Sequence, residues 1–114
     1  MRLLSSALAA VLFVTVPAGA ASAHGRDHDH DLRIATYNLS LNRPAEGLLR
    51  EHLANPGVDD VYRRQAHNVA EVILRARPDI VLLNEFDYDP EAARLFGENF
   101  LGGRYPYRFV APSN

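Results

Sequence analysis

The chain has 114 residues, a net charge of −2, 47% hydrophobic and 23% charged residues, and no cysteine. That suffices for one small domain of ordinary globular composition. It excludes disulfide staples and thiolate metal sites, and no bulk basic surface announces a nucleic-acid or membrane partner.

Arg2 opens the chain with a charge, and Leu3 to Val16 follow without one. Pro17 and Gly19 break the run, and Ala21-Ser22-Ala23 is a small-x-small cleavage site. Residues 1–23 therefore read as a secretory signal peptide, with cleavage expected after Ala23. The apolar core is short for a membrane span, which needs ~20 residues. No cysteine follows to carry a lipid anchor, so the mature chain is expected to be secreted, extracellular or periplasmic, without stable membrane association. About ninety residues then remain, thin for a complete enzyme.

Residues 24–31, His-Gly-Arg-Asp-His-Asp-His-Asp, read as a flexible polar leader whose capacity for loose metal capture is incidental. Leu32 to Leu39 alternate as a strand, with Ile34, Thr36 and Asn38 on one face and Arg33, Ala35 and Tyr37 on the other. Taken alone, Asn38 near the strand's end reads as a turn or cap residue. Ser40 to Arg43 form a turn. Ala45 to Ala54 form a short helix with Leu48, Leu49 and Leu53 on its apolar edge, ended by Asn55-Pro56-Gly57.

Asp59 and Asp60 open the longest helix, which runs to about Arg77 with acids at its start and Arg75 and Arg77 at its end. Tyr62, Ala66, Val69, Ile73 and Ala76 mark its expected buried stripe, widened by Val72. His67 and Glu71, four apart and off that stripe, read as a solvated pair. Asp79 to Asp89 follow, Asp-Ile-Val-Leu-Leu-Asn-Glu-Phe-Asp-Tyr-Asp. Ile80 to Leu83 make a short buried strand. Nothing in strand energetics asks for a carboxylate at its end, and burying Glu85 without a cation or strong donors would be costly. The strand is therefore expected to deliver Glu85 to a sheet rim, where it meets a metal ion.

Asp89-Pro90-Glu91 starts a third helix to about Phe100, burying Ala92, Leu95 and Phe96 and ended by Gly102-Gly103. Tyr105 to Val110 form a last strand. The order strand-helix-helix-strand-helix-strand predicts an α/β fold. If the two main strands are parallel neighbours, Asn38 and Glu85 share the C-terminal sheet edge, where open α/β sheets place their sites. The long helix covers one face of that sheet; the other has no obvious cover. Arg63 with Arg64, and Arg104 with Arg108, read as solvated charge.

Arg33-Ile34-Ala35-Thr36-Tyr37-Asn38-Leu39 and Pro78-Asp79-Ile80-Val81-Leu82-Leu83-Asn84-Glu85 resemble the first two motifs of the endonuclease/exonuclease/phosphatase superfamily, which includes deoxyribonuclease I-like nucleases, sphingomyelinases and inositol-polyphosphate phosphatases. Asn84 to Asp89 and Tyr105 to Asn114 resemble a secreted bacterial branch, so the resemblance spans residues 32–114. It implies the N-terminal part of a four-layer α/β sandwich with mixed sheets. It also implies an exported phosphoric ester hydrolase, of nuclease, phosphodiesterase or phosphatase type, dependent on Mg²⁺ (or Mn²⁺ or Ca²⁺). Glu85 matches the metal-binding glutamate, and Asn38 the asparagine that organises metal and phosphate. Two positions depart: Ser40 where an acid is common, and Asn84 where Gln is common. The later motifs, with the catalytic histidines and the closing Asp-His pair, do not occur here. The chain is thus expected to be an incomplete part of such an enzyme, inactive alone, or to be joined by a completing chain. Substrates of the resembled group are phosphate esters, nucleic acid among them. The competing readings are a short secreted non-enzymatic metal-binding protein and a decayed gene product.

Overall fold

The computed structural model describes residues 10–15 and 31–112. Four strands and three helices follow one another: β1 (Ala10–Val14), β2 (Ile34–Asn38), α1 (Leu48–Ala54), α2 (Val61–Ala76), β3 (Ile80–Asn84), α3 (Pro90–Asn99) and β4 (Tyr107–Ala111). The sheet order is β2-β3-β1-β4. β2 and β3 pair in parallel, with Asn38 opposite Asn84, whereas β1 runs antiparallel to both β3 and β4. The fold is α/β, as the order of elements implied, with a mixed sheet and a strand in front that was not expected.

That strand is the main addition to what the sequence suggested. The apolar run read as a removable leader supplies β1 inside the sheet, with Val11 and Phe13 fully buried. The physical reason is that one short run of branched and aromatic residues satisfies both roles. The polar leader at 24–30 lies outside the described residues.

Alternation in the strands sorts the sheet into two faces. Val11, Phe13, Val81 and Leu83 point to the helices and are buried, and Ala35, Tyr37 and Val110 pack partly against them. The opposite face carries Ile34, Leu82, Tyr107 and Phe109, all exposed, so among the described residues one helical layer covers one face. Phe13 is the hub of the covered side. Its ring meets Phe96 and Tyr105 edge-on, at 6.2 and 5.9 Å between centroids. Tyr105, fully buried, donates its hydroxyl to Pro78 O at 2.9 Å. It thereby ties the approach to β4 to the entry of β3.

The helices begin where their caps place them. Asp60 accepts from Arg63 N and opens α2; Asp89 accepts from Glu91 N and Ala92 N and opens α3, with Pro90 in the first turn. The buried stripe of α2 is rotated from expectation: Arg63, Ala66, Ala70 and Ile73 face inward, while Tyr62, Val72 and Ala76 are exposed and Val69 is half-buried. Arg63 causes the rotation. Its Nε donates to Asn55 O at 2.8 Å and its Nη2 to Glu51 O at 3.4 Å, which satisfies carbonyls at the end of α1. Arg63 is therefore not solvated charge, whereas Arg64 is exposed and pairs with Asp59. His67 and Glu71 do not pair: Glu71 takes Arg75, and His67 Nε2 meets Pro56 O at 2.9 Å. In α3, Ala93 and Gly97 join Ala92 and Phe96 in the buried face, and Leu95 is only half-buried.

Candidate functional site

The C-terminal edge of the β2–β3 pair gathers the residues singled out from the sequence. β2 ends at Asn38 and β3 at Asn84, opposite each other, and the chain turns immediately after both. Leu39 N donates to Asn84 O at 3.0 Å, and Leu41 N and Asn42 N donate to Glu85 O at 2.8 and 2.9 Å. Leu39 and Leu41 are buried, so the segment read as a simple turn is anchored on either side of Ser40. Two core leucines and three backbone bonds thus hold Ser40 and Glu85 in place.

Ser40 connects the two candidates. Asn38 Oδ1 accepts from Ser40 N at 3.0 Å, and Ser40 Oγ donates to Glu85 Oε2 at 3.1 Å. Asn38 and Glu85 therefore belong to one hydrogen-bonded group, although they lie 47 positions apart in the sequence. The departure at Ser40 is thus a bridge in place of a second charge. Asn84, the other departure, turns away and donates to Thr36 Oγ1 at 3.1 Å. Ser40 and Glu85 both hold left-handed backbone, at φ 51° and 55°. Such a conformation costs a non-glycine residue about 1–3 kcal/mol and persists only where its surroundings fix it.

A polar layer supports this edge from below. Arg43 N donates to Asp87 Oδ1 and Oδ2 at 3.1 and 3.2 Å. The Arg43 guanidinium donates to His52 Nδ1 at 3.2 Å and Gln65 Oε1 at 3.0 Å, and its Cζ lies 4.9 Å from the Tyr62 ring centroid. Gln65 Nε2 donates in turn to Ser40 O at 2.8 Å. His52 is buried and stacks on Tyr62 with centroids 4.4 Å apart. Burial pushes the His52 imidazole below its ordinary value, and the Arg43 and Arg63 charges add to this. Burial pushes the Asp87 carboxyl up, against the pull of Arg43. This layer has no local signature in the sequence, because its members come from a loop, two helices and the strand-end segment.

Glu85 and Asn38 can offer oxygen to a hard cation. Among the described residues Glu85 enters no ion pair, and its Oε1 accepts no hydrogen bond. Asn38 Oδ1 accepts from Ser40 N at 3.0 Å and lies 3.4 Å from Ser40 Oγ, whose single proton is shared with the nearer Glu85 Oε2. One carboxylate with a neutral oxygen fits Mg²⁺, which retains several waters and takes few protein ligands. No cluster of three or more His, Cys, Asp or Glu residues with metal-site spacing exists among the described residues. The edge is open: a neighbouring cavity of about 280 Å³ is lined by Arg43, Arg50, Asp87 and Asp89, without Asn38, Ser40 or Glu85. No helix among the described residues is long and apolar enough to cross a membrane.

Comparison with known proteins finds no matching family, no matching curated protein and no matching solved structure.

Proposed function

We propose that this strand edge is the cation-anchoring part of a divalent-metal-dependent phosphoester hydrolase of an exported protein. The observation that carries the reading is the Asn38–Ser40–Glu85 group, held in strained backbone at the C-terminal edge of parallel strands. The resemblance of both strand motifs to metal-dependent phosphoesterases supports it.

Glu85 would hold Mg²⁺ or Mn²⁺ through its carboxylate, and Asn38 would contribute its amide oxygen or orient a bound water. The cation supplies charge stabilisation at a phosphoryl oxygen. Ser40 fixes the Glu85 rotamer and offers its hydroxyl to one carboxylate oxygen, leaving the other for the ion. Efficient hydrolysis also needs a positioned base. The described residues place none beside Glu85, so turnover requires groups brought to this edge from elsewhere.

Titration with Mg²⁺ and Mn²⁺ tests the reading, followed by calorimetry and by Mn²⁺-induced relaxation of amide signals. The expected result is broadening centred on Asn38, Ser40 and Glu85, lost in Glu85→Gln. Binding that is indifferent to Glu85→Gln and vanishes on deletion of residues 24–30 would replace this reading with loose capture by the histidine-rich leader. A phosphodiester assay with Mn²⁺ on the longest form of the protein made by its host then tests the chemistry.

A further inference from the structure

β1 stands between two strands that cannot replace it. β3 and β4 are each antiparallel to β1 and thus run in the same direction as each other. With strands spaced about 4.8 Å apart, they lie roughly two spacings from one another and cannot hydrogen-bond directly. Each keeps a row of backbone donors and acceptors that β1 satisfies. Register is continuous on both sides: Val11 faces Leu83 and Val110, and Phe13 faces Val81 and Arg108.

The slot also reads side chains. Phe13 is enclosed by Phe96 and Tyr105. Gly97 lets α3 come close, since a Cβ there would lie 3.4 Å from Phe13 Cε1 and 2.6 Å from Arg108 Nη1. An aromatic side chain therefore has a shaped place, and a branched apolar residue two positions earlier has another. Outward positions such as Leu12 are only half-buried and weakly specified.

We propose that the space between β3 and β4 is a strand-acceptor slot. It takes in trans an extended segment of a partner chain, antiparallel to both strands, with a branched apolar residue followed two positions later by an aromatic one. The occupant of the slot, Ala10–Val14, has this chemistry and is the apolar centre of the stretch that reads as a removable leader. Removal of that stretch vacates the slot and leaves two open edges and an empty aromatic site. Main-chain pairing then supplies affinity, and the two inward side chains supply selectivity. The inference rests on the reading of residues 1–23 as a removable export leader and is independent of the phosphoesterase chemistry.

The experiment uses the full chain with a protease recognition sequence inserted between Ala23 and His24. The folded protein is cut, denatured and refolded with a labelled peptide of residues 8–16, flanked by arginines for solubility, in roughly tenfold excess. The labelled peptide is expected to replace the chain's own segment in roughly nine-tenths of molecules. Slow amide exchange at Leu82, Leu83 and Val110 should return with it, and a peptide carrying Phe13→Asp should fail on both counts. Three results would overturn the proposal. The first is refolding with unchanged amide protection and no peptide bound. The second is equal uptake of the Phe13→Asp peptide. The third is failure of the identical peptide to enter at this excess.

Discussion

Ser40 Oγ donates to Glu85 Oε2 across 3.1 Å, and both residues hold left-handed backbone at the end of the β2–β3 pair. A glycine at either position would adopt that backbone without steric cost. Glu85→Gly is therefore expected to stabilise the fold by about 1 kcal/mol. The same change should weaken Mg²⁺ or Mn²⁺ binding by at least roughly tenfold, since it removes the charged ligand. Urea midpoints and metal titrations on one preparation read both effects. A less stable Glu85→Gly chain would show that the strain is not stored at this position.

Buried His52 should make stability depend on pH near neutrality. Its imidazole is held below the ordinary value by burial and by Arg43 and Arg63, with Asp60 and Glu51 opposing weakly. Nδ1 accepts from Arg43 Nε, which favours the neutral ring. The unfolded chain protonates this group near pH 6.5. The unfolded state then binds more protons, so the contribution is present above about pH 6.5 and is lost as pH falls below it. Denaturation midpoints between about pH 7.5 and 5.5 should decline in the parent and flatten in His52→Gln. A parallel decline in both would assign the slope to other groups.

Phe13→Ala should cost about 3–5 kcal/mol, because the ring is fully buried against Phe96 and Tyr105. Leu12→Thr, on the opposite face of the same strand, should cost under about 1 kcal/mol. The contrast between adjacent residues is the signature of an inserted strand. Equal, small effects in urea unfolding of the full chain would mean that β1 is not part of the core.

Tyr105→Phe should destabilise by about 1–3 kcal/mol, since it leaves the Pro78 carbonyl without its buried donor while keeping the ring. Chemical denaturation measures the loss. A change near zero would mean that water reaches Pro78 O once the hydroxyl is gone.

The open face of the sheet invites a different change. Ile34 and Phe109 are 66% and 64% exposed on that face, so replacing both with Thr removes apolar surface from water without opening a cavity. Thermal stability should move by no more than about 0.5 kcal/mol per site. Self-association in sedimentation and binding of an apolar dye should both fall. A large loss of stability would reveal that these residues are buried in solution.

Strand identity and the main caps were legible because they depend on local chemistry. Ile34 to Asn38 and Ile80 to Asn84 alternate or run apolar within a few residues, and Asp60 and Asp89 satisfy the helix starts that follow them. The meeting of Asn38 with Glu85 was inferable once the two strands were taken as parallel neighbours. The inward turn of α2 was not, because periodicity weighs Tyr62 above Arg63, and only the carbonyls of α1 make a buried arginine favourable.

By itself the sequence determined which stretches from Ile34 onward are strands or helices, and it placed an amide and a carboxylate at two strand ends. Those outcomes follow from side-chain alternation, capping groups and proline, all read over short distances. Tertiary structure alone decided that Ser40 joins Asn38 to Glu85, that Arg43 and His52 support the edge, and that Ala10–Val14 fill the sheet's centre. Each is a contact between residues far apart in the chain or a choice between two uses of the same apolar run. Such choices are settled by which partners the fold brings within hydrogen-bonding and packing distance.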